Sequence, residues 1–444
     1  MSPQPSSVQS SSVEAGPTKA DHAEYVLIGG GLASATAAKA IRERDPGGRI
    51  VILSAESNVP YHRPPLSKEF LRGDSDFTEA QISPKEEYTT QNIELRLGVR
   101  ATGLDLPTKT ITLDSGETLS FDKLCIATGA SAKPLDSAQT PGAGAPNVLT
   151  LRTREDSETL RGHLQPGARA VVIGAGYIGM EAAAVCRQKG LEVTIVDTNE
   201  HPWSKNTSAA FGGFLRRYFE AQGVRFLLKD GVTEIALDRS GKATGVKTKS
   251  GETVPCDFVV AGVGAKLNLD LPKAAGLLTD DQEGVSVDAF LETASADIYA
   301  AGDIARFQDP VLEKTWHVEH WQNAEWHGQI VGANMAAKFP SERVAYDHLP
   351  YFFSDEFDLH MTLRGDPQAG KSSFVIGSMG TDTERFTEVY LRPDGTIAMG
   401  IVLSKAEDET AASDLLERLI RARALVAPHQ SALQAGQMKL EDLR

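Results

Sequence analysis

One pattern of hydrophobic and polar positions occurs twice in this chain. An apolar run, Tyr25 to Ile28, stops at a glycine cluster and is followed at once by the helix-favouring stretch A-T-A-A-K-A-I-R-E-R. From Ala170 the run A-V-V-I likewise stops at G-A-G-Y-I-G and leads into M-E-A-A-A. Each predicts a strand, a tight turn and a helix. Further strands are expected at Arg49 to Leu53, Lys123 to Gly129, Glu192 to Val196, Asp257 to Gly264 and within Thr293 to Asp303, several of them ending on glycine. Between Ile93 and Phe121 the pattern alternates, with turn signals at Pro107 and at Asp114 to Gly116, which predicts antiparallel strands attached to the first unit. Pro134 to Pro146 reads as a linker.

Beyond Ser341 the pattern changes. Strands are expected at about His360 to Leu363, Phe374 to Ser378, Phe386 to Leu391 and Thr396 to Leu403, with P-D-G at Pro393 to Gly395 as a hairpin turn. A helix from Ala406 to Leu425 closes this α+β part, with Arg418, Arg421 and Arg423 read as its solvated face. Glu319 onward also reads as a helix, with His320, Ala324, Val331 and Met335 near one face. The expected fold class is α/β: two Rossmann-like dinucleotide-binding domains and a C-terminal α+β domain. The division is a disordered tail at 1–20, one nucleotide domain at 21–145 and 266–340, a second at 146–265, and the C-terminal domain at 341–444.

Composition narrows the chemistry. The formal net charge of -15 opposes nucleic-acid binding. No apolar run reaches the roughly 20 residues that span a bilayer, and the Ser- and Pro-rich start lacks the apolar core of a signal peptide, so a cytoplasmic location is expected. The three cysteines, Cys125, Cys186 and Cys256, form no C-x-x-C pair, which leaves no dithiol relay for disulfide exchange.

The glycine turns carry the first candidate site. Gly29 and Gly31, with Ser34 as the small third residue, stand at the positions of G-x-G-x-x-G, and Gly174, Gly176 and Gly179 complete that motif in the second unit, with Ile178 inside it. The first glycine permits the sharp turn, the second lets backbone approach a pyrophosphate, and helix N–H groups face the anion. Glu56 and Asp197 follow the second strand of each unit, where a carboxylate can accept hydrogen bonds from a ribose. Two such units in register predict two dinucleotides. At Asp197 the carboxylate favours NADH over NADPH, since like charges about 4 Å apart repel by roughly 4 kcal/mol at an effective dielectric near 20; Lys205 lies nearby in sequence.

Val59 to Lys68, V-P-Y-H-R-P-P-L-S-K, is stiffened by Pro60, Pro64 and Pro65, so Arg63 and Lys68 are held as fixed cations facing an anionic partner. Ala127, Thr128 and Gly129 end one buried strand and Gly262 lies in its counterpart. Gly302 and Asp303 reach a turn where the carboxylate can bind a polyhydroxyl chain. Glu319, His320 and Trp321 open a half-buried helix whose rings line a planar cofactor. His317, His320 and His327 do not make a complete metal set, because H-E-x-x-H and equivalent spacings are absent; no metal is expected.

Taken in order, the two glycine units, P-Y-H-R-P-P-L-S-K, A-T-G-A, the segment ending in Gly302 and Asp303, V-E-H-W-x-N-A and P-Y-F-F-S-D resemble flavin-dependent pyridine-nucleotide reductases. More narrowly, they resemble the branch of oxygenase-type ferredoxin reductases, monodehydroascorbate reductases and apoptosis-inducing-factor-like proteins. The resemblance runs from about Glu24 to the C-terminus. It implies FAD at the first turn and NADH at the second, with Glu56 on the adenosine ribose, Arg63 and Lys68 on the flavin side, and Asp303 on the ribityl chain. It also implies that Lys68 pairs with Glu181 beside flavin N5 as the catalytic pair, that Glu319 and His320 border the ring, and that Phe353 packs beside it. His317 stands where many relatives carry Arg, and Phe353 where monodehydroascorbate reductases carry Tyr. The implied activity is hydride transfer from NADH to FAD, then one-electron transfer to a ferredoxin-type iron-sulfur protein. A monodehydroascorbate or quinone reductase, and a redox-responsive interaction protein, are the alternatives. Oligomeric state is not legible.

Overall fold

Strand pairing follows the glycine units. In this computed structural model, which describes residues 21–279, 281–405 and 410–443, the strand Asp21–Ile28 lies between Ile50–Ser54 and Thr118–Ile126, parallel to both. Ile50–Ser54 is wholly buried, and the other two strands are buried toward their C-terminal ends, as expected where a parallel sheet is covered on its faces. The expected tail at 1–20 and the first four residues of the expected C-terminal helix, 406–409, lie outside the described residues.

Ile93–Leu97 joins the same sheet as a parallel edge strand beside Ile50–Ser54, so it is not part of the antiparallel attachment expected of Ile93 to Phe121. The helices between the two strands supply the long crossover that a parallel neighbour requires. The antiparallel part consists of Ala101–Asp105, Thr110–Leu113 and Thr118–Ile126. Far along the chain, Ile298–Ala300 returns to this sheet parallel to Thr118–Ile126.

The second unit builds a five-stranded parallel sheet from Val148–Leu149, Phe258–Ala261, Arg169–Ile173, Glu192–Asp197 and Val224–Leu228. A three-stranded antiparallel sheet, Val232–Leu237, Ala243–Thr248 and Thr253–Pro255, flanks it and has no counterpart in the sequence reading. The first of these strands alternates about a single buried residue, Ile235, which leaves little apolar signal.

The C-terminal part is a five-stranded antiparallel sheet. Four strands fall where the alternation places them, and Asp394 accepts from the Thr396 amide at 3.0 Å to close the P-D-G turn. The fifth, Tyr351–Glu356, is an addition that pairs with Leu359–Gly365. Its helix is Thr410–Arg421, ending short of Leu425. Arg418 is exposed as expected, while the other two arginines are paired: Arg421 with Asp347 and Glu417 at 2.9 Å each, and Arg423 with Glu313 at 2.6 Å.

Two helices position the first glycine turn. Leu32–Arg44 springs from that turn and packs against Trp321–Met335. The packing is close because Gly328 and Gly332 present no side chain; a Cβ there would lie 2.5 Å from the Ala33 carbonyl oxygen and 2.3 Å from that of Ala37. The later helix begins at Trp321, with His320 as its extended N-cap, so His320 leaves the face expected for it and turns toward the cavity described next.

Candidate functional site: a cleft beneath two glycine turns

Gly29 adopts φ +123°, and a Cβ on it would stand 2.1 Å from the Ala127 carbonyl oxygen. Only glycine allows the turn to lie against the neighbouring strand this closely. Gly31 is the N-cap of Leu32–Arg44, and its Cα position faces open space. Beside this turn opens a cavity of about 980 Å³. Its wall includes Gly29, Gly31, Ala127, Thr128, Gly129 and Gly302, the glycine ends of three adjacent strands.

At the mouth, Arg63 pairs with Glu56 at 2.7 Å, and the Tyr61 hydroxyl donates to the same carboxylate. Arg63 also donates to the Arg152 carbonyl at 2.7 Å. Arg63 and Lys68 both line the cavity, as expected of fixed cations, with Arg63 beside Glu56. Deeper in, Asp303 pairs with Arg152 at 2.9 Å, and burial raises its carboxyl above the ordinary range while Arg152 opposes that shift. Thr128 and Asn268 exchange two hydrogen bonds at 2.7 and 2.9 Å and fix the neighbouring wall.

The innermost polar group is a buried ion pair. Lys68 Nζ lies 2.8 Å from Glu181 Oε1, and the side chains are 8% and 4% exposed. Lys68 follows the one-turn helix Pro64–Ser67, and Glu181 sits on Tyr177–Gln188, the helix of the second glycine turn, so the pair joins the two units. Ser67 donates to Glu181 Oε2 and Ser354 donates to Oε1 at 2.6 Å. A buried pair held by further hydrogen bonds is positioned rather than free to wander.

Aromatic groups form the remaining wall. Trp321 Nε1 donates to His62 Nδ1 at 3.0 Å, Phe353 meets Trp321 edge to face at 6.2 Å, and Phe352 packs on Tyr177 with centroids 4.0 Å apart. His320 is half-buried in the wall, with a buried Nδ1 that has no hydrogen-bonding partner, and desolvation holds its pKa down at about 4. Glu319 accepts from His317 Nε2 at 3.3 Å; that bond raises the His317 pKa and lowers that of Glu319. His327 stands apart from these, its Nδ1 accepting from the Gly302 amide at 3.2 Å. Among the described residues no group of side chains could hold a metal ion.

Six expected residues lie outside the cavity wall. Ser34 is buried behind the first turn with no partner for its Oγ. Gly174 (φ +103°), Gly176 and Gly179 form the second turn, whose Ile178 is 43% exposed, and Gly262 closes on Gly179. Asp197 ends its strand as expected but is already engaged: it accepts from the Ala175 amide at 2.5 Å and from the Asn199 amide at 2.6 Å. Arg152, Tyr177, Asn268 and Ser354 were missed. Of these, Tyr177 lies inside the glycine motif and Ser354 inside P-Y-F-F-S-D, whereas Arg152 meets Asp303 across 151 positions.

Comparison with known proteins agrees with this geometry. Residues 23–328 match the family model described as pyridine nucleotide-disulphide oxidoreductase. The ferredoxin–NAD(+) reductase component of an anthranilate 1,2-dioxygenase system from Burkholderia cepacia is 34% identical over 408 residues, 92% of this chain and 96% of that protein. Peroxisomal monodehydroascorbate reductase 4 of Arabidopsis thaliana is 33% identical over 357 residues, 77% of this chain and 72% of that one. Among solved structures, the putidaredoxin reductase–putidaredoxin complex matches with a TM-score of 0.87 at 28% identity, covering 96% of this chain and 98% of that one. A ferredoxin reductase from Rhodopseudomonas palustris matches with a TM-score of 0.86 at 31% identity, covering 94% and 99%.

Proposed function

The chain belongs to the pyridine nucleotide-disulphide oxidoreductase family, and we propose that it is an FAD-dependent NADH reductase that passes single electrons to a ferredoxin-type iron-sulfur protein. The buried Lys68–Glu181 pair at the junction of the two glycine units is the observation that carries this reading. The cavity suits FAD: Gly31 at the helix start faces open space where a pyrophosphate would lie, about 980 Å³ accommodates a ligand at the upper end of ordinary pocket sizes, and just behind the wall Ser34 keeps a buried unpaired hydroxyl. Bound FAD would supply the conversion of a two-electron donor into one-electron steps.

The residues divide the work. The helix start at Gly31 binds the pyrophosphate, Glu56 and Arg63 bracket the adenosine end, and Asp303 with Arg152 orients the ribityl hydroxyls. Lys68 lies next to where charge develops during hydride transfer, and Glu181 with Ser67 and Ser354 holds it there. Phe352 and Tyr177 cover the approach from the second turn and exclude water. That turn takes the NADH pyrophosphate. Asp197 braces it through Ala175 and disfavours a 2′-phosphate by charge. In this reading residues 21–145 and 266–340 form the FAD domain, split by the NADH domain at 146–265, and 341–444 supplies the covering wall.

A ferredoxin-type acceptor is favoured over an ascorbyl radical by two features of the rim: Phe353 brings no hydroxyl, and His317 is engaged with Glu319 instead of offering a free cation. Among the described residues no helix is long and apolar enough to cross a membrane. The test is steady-state electron delivery from NADH to a panel of ferredoxins, ascorbyl radical and quinone. Fast ferredoxin reduction supports the reading. Prompt flavin bleaching with no acceptor turned over would leave the redox-responsive interaction protein in its place.

A further inference from the structure

The strand Tyr351–Glu356 presses Phe352, Ser354 and Glu356 against the rest of the molecule, since alternate residues share a face. Phe352 packs on Tyr177 and Ser354 donates to Glu181, both on the helix Tyr177–Gln188. Glu356 is the third member of that face. It is fully buried, and neither carboxyl oxygen has a hydrogen-bonding partner among the described residues. It is absent from the cavity wall, so it stands behind the ion pair and not against a ligand.

The charged groups acting on Glu356 are Glu181 from the glycine helix, Lys68 from the proline turn and Asp355 from its own strand; the Tyr177 phenol also lies in its field. Lys68 is already shared with Glu181 at 2.8 Å. One cation faces two buried carboxyls, and an ionised carboxylate without hydrogen bonds is costly to bury. Burial, with the Glu181 charge adding to it, pushes the Glu356 carboxyl well above its usual range.

We propose that Glu356 is a buried carboxylic acid that holds one proton behind the Lys68–Glu181 pair and couples proton uptake to cofactor reduction. The coupling rests on the reading that this pair stands beside the flavin. Hydride from NADH adds two electrons and one proton to the cofactor, leaving NAD⁺ and one added negative charge at the site. That charge disfavours an ionised Glu356. At alkaline pH, where Glu356 is partly ionised, reduction therefore draws one proton from solvent onto its carboxylate, up to one per cofactor reduced. Glu356 is thus a positioning residue for charge, acting through Glu181 and Lys68.

The experiment compares the FAD-loaded native protein with Glu356→Gln, which keeps the shape and removes the proton site. Infrared spectra of the native protein are expected to show a carboxylic-acid carbonyl band that shifts on deuterium exchange and disappears in the variant. Native stability should fall relative to the variant as pH rises above the ordinary glutamate range, because the folded state keeps a proton that the unfolded chain releases. Indicator dye in weakly buffered alkaline solution should register extra proton uptake on anaerobic reduction by NADH, absent from Glu356→Gln. A native protein with no such band overturns the proposal, and this needs no variant. A band without extra proton uptake overturns the coupling while leaving NADH reductase activity to be judged separately.

Discussion

The two glycine turns share a backbone but serve different surroundings. Gly29 and Gly174 both adopt positive φ, and a Cβ on either would strike the carbonyl oxygen of the facing strand, at Ala127 or Gly262, at 2.1 and 2.4 Å. They differ at the third small position. A Cβ on Gly179 would stand 2.0 Å from the Gly174 carbonyl oxygen, whereas Ser34 accommodates a whole side chain. They differ too in what lies beyond: Gly29 and Gly31 line a deep cavity walled in part by Tyr351, Phe352 and Phe353, whereas Gly174, Gly176 and Gly179 lie outside it and only Tyr177 and Ile178 of the second turn reach it. In the proposed reading, the same anion-binding turn holds a resident cofactor in one place and an exchanging one in the other.

The sharpest way to break this comparison is Gly179→Ser, which gives the second turn the residue found in the first. The added Cβ meets backbone that cannot retreat, so the helix start must shift; with overpacking costing typically about 1–3 kcal/mol, NADH binding is expected to weaken at least tenfold. FAD content should remain native, which absorbance and titration with NADH would check. Equal weakening of both cofactors would mean that the turns are not independent.

Lys68→Ala probes where the two turns meet. It removes the cation of a buried pair and leaves Glu181 with hydroxyl partners only, a change that costs about 3–5 kcal/mol of stability in comparable buried pairs. Flavin reduction by NADH should slow about a hundredfold, the scale of a lost electrostatic contact to a developing charge. Stopped-flow reduction separates this from FAD loss. A variant that keeps FAD and reduces at the native rate removes Lys68 from the chemistry.

Asp197→Asn sharpens the difference in what each turn admits. Replacing the charge next to the second turn should improve efficiency with NADPH relative to NADH by about tenfold, less than the unscreened repulsion allows, because solvent and salt weaken it. The new side chain keeps one acceptor oxygen where the carboxylate has two, one serving Asn199 and the other Ala175, so one of these donors loses its partner and some loss of NADH affinity accompanies the change. An unaltered ratio in initial-rate measurements would mean that Asp197 only braces Ala175.

What the chain revealed beforehand follows from distance in sequence. The glycine turns and their strands are local patterns, each readable within about 15 residues, and they were legible; Glu181 stood out only through the family resemblance. Lys68 was legible because prolines pinned it. Arg152 was not, since its guanidinium acquires meaning only on meeting Asp303 from another part of the chain. Tyr351–Glu356 was hidden for a different reason: its inward face carries Ser354 and Glu356, so hydropathy marks buried positions as polar. Ser354 donates to Glu181 of the ion pair, and Glu356 lies in the field of both its members. The least readable strand is thus the one that completes the site.

The smallest effect is expected from Ser34→Gly, the reverse exchange. The mutation removes a buried hydroxyl without a partner and introduces glycine into the first turn of Leu32–Arg44, where a helix interior would lose about 0.5–1 kcal/mol relative to a better former. If the Ser34 hydroxyl contacts bound FAD, the holoprotein loses a further hydrogen bond of about 1 kcal/mol that the apoprotein never had. Thermal unfolding with and without FAD separates the two: a larger loss in the loaded protein assigns the hydroxyl to the cofactor. Equal losses in both states assign it to the helix alone, and the first turn then differs from the second only in its enclosure.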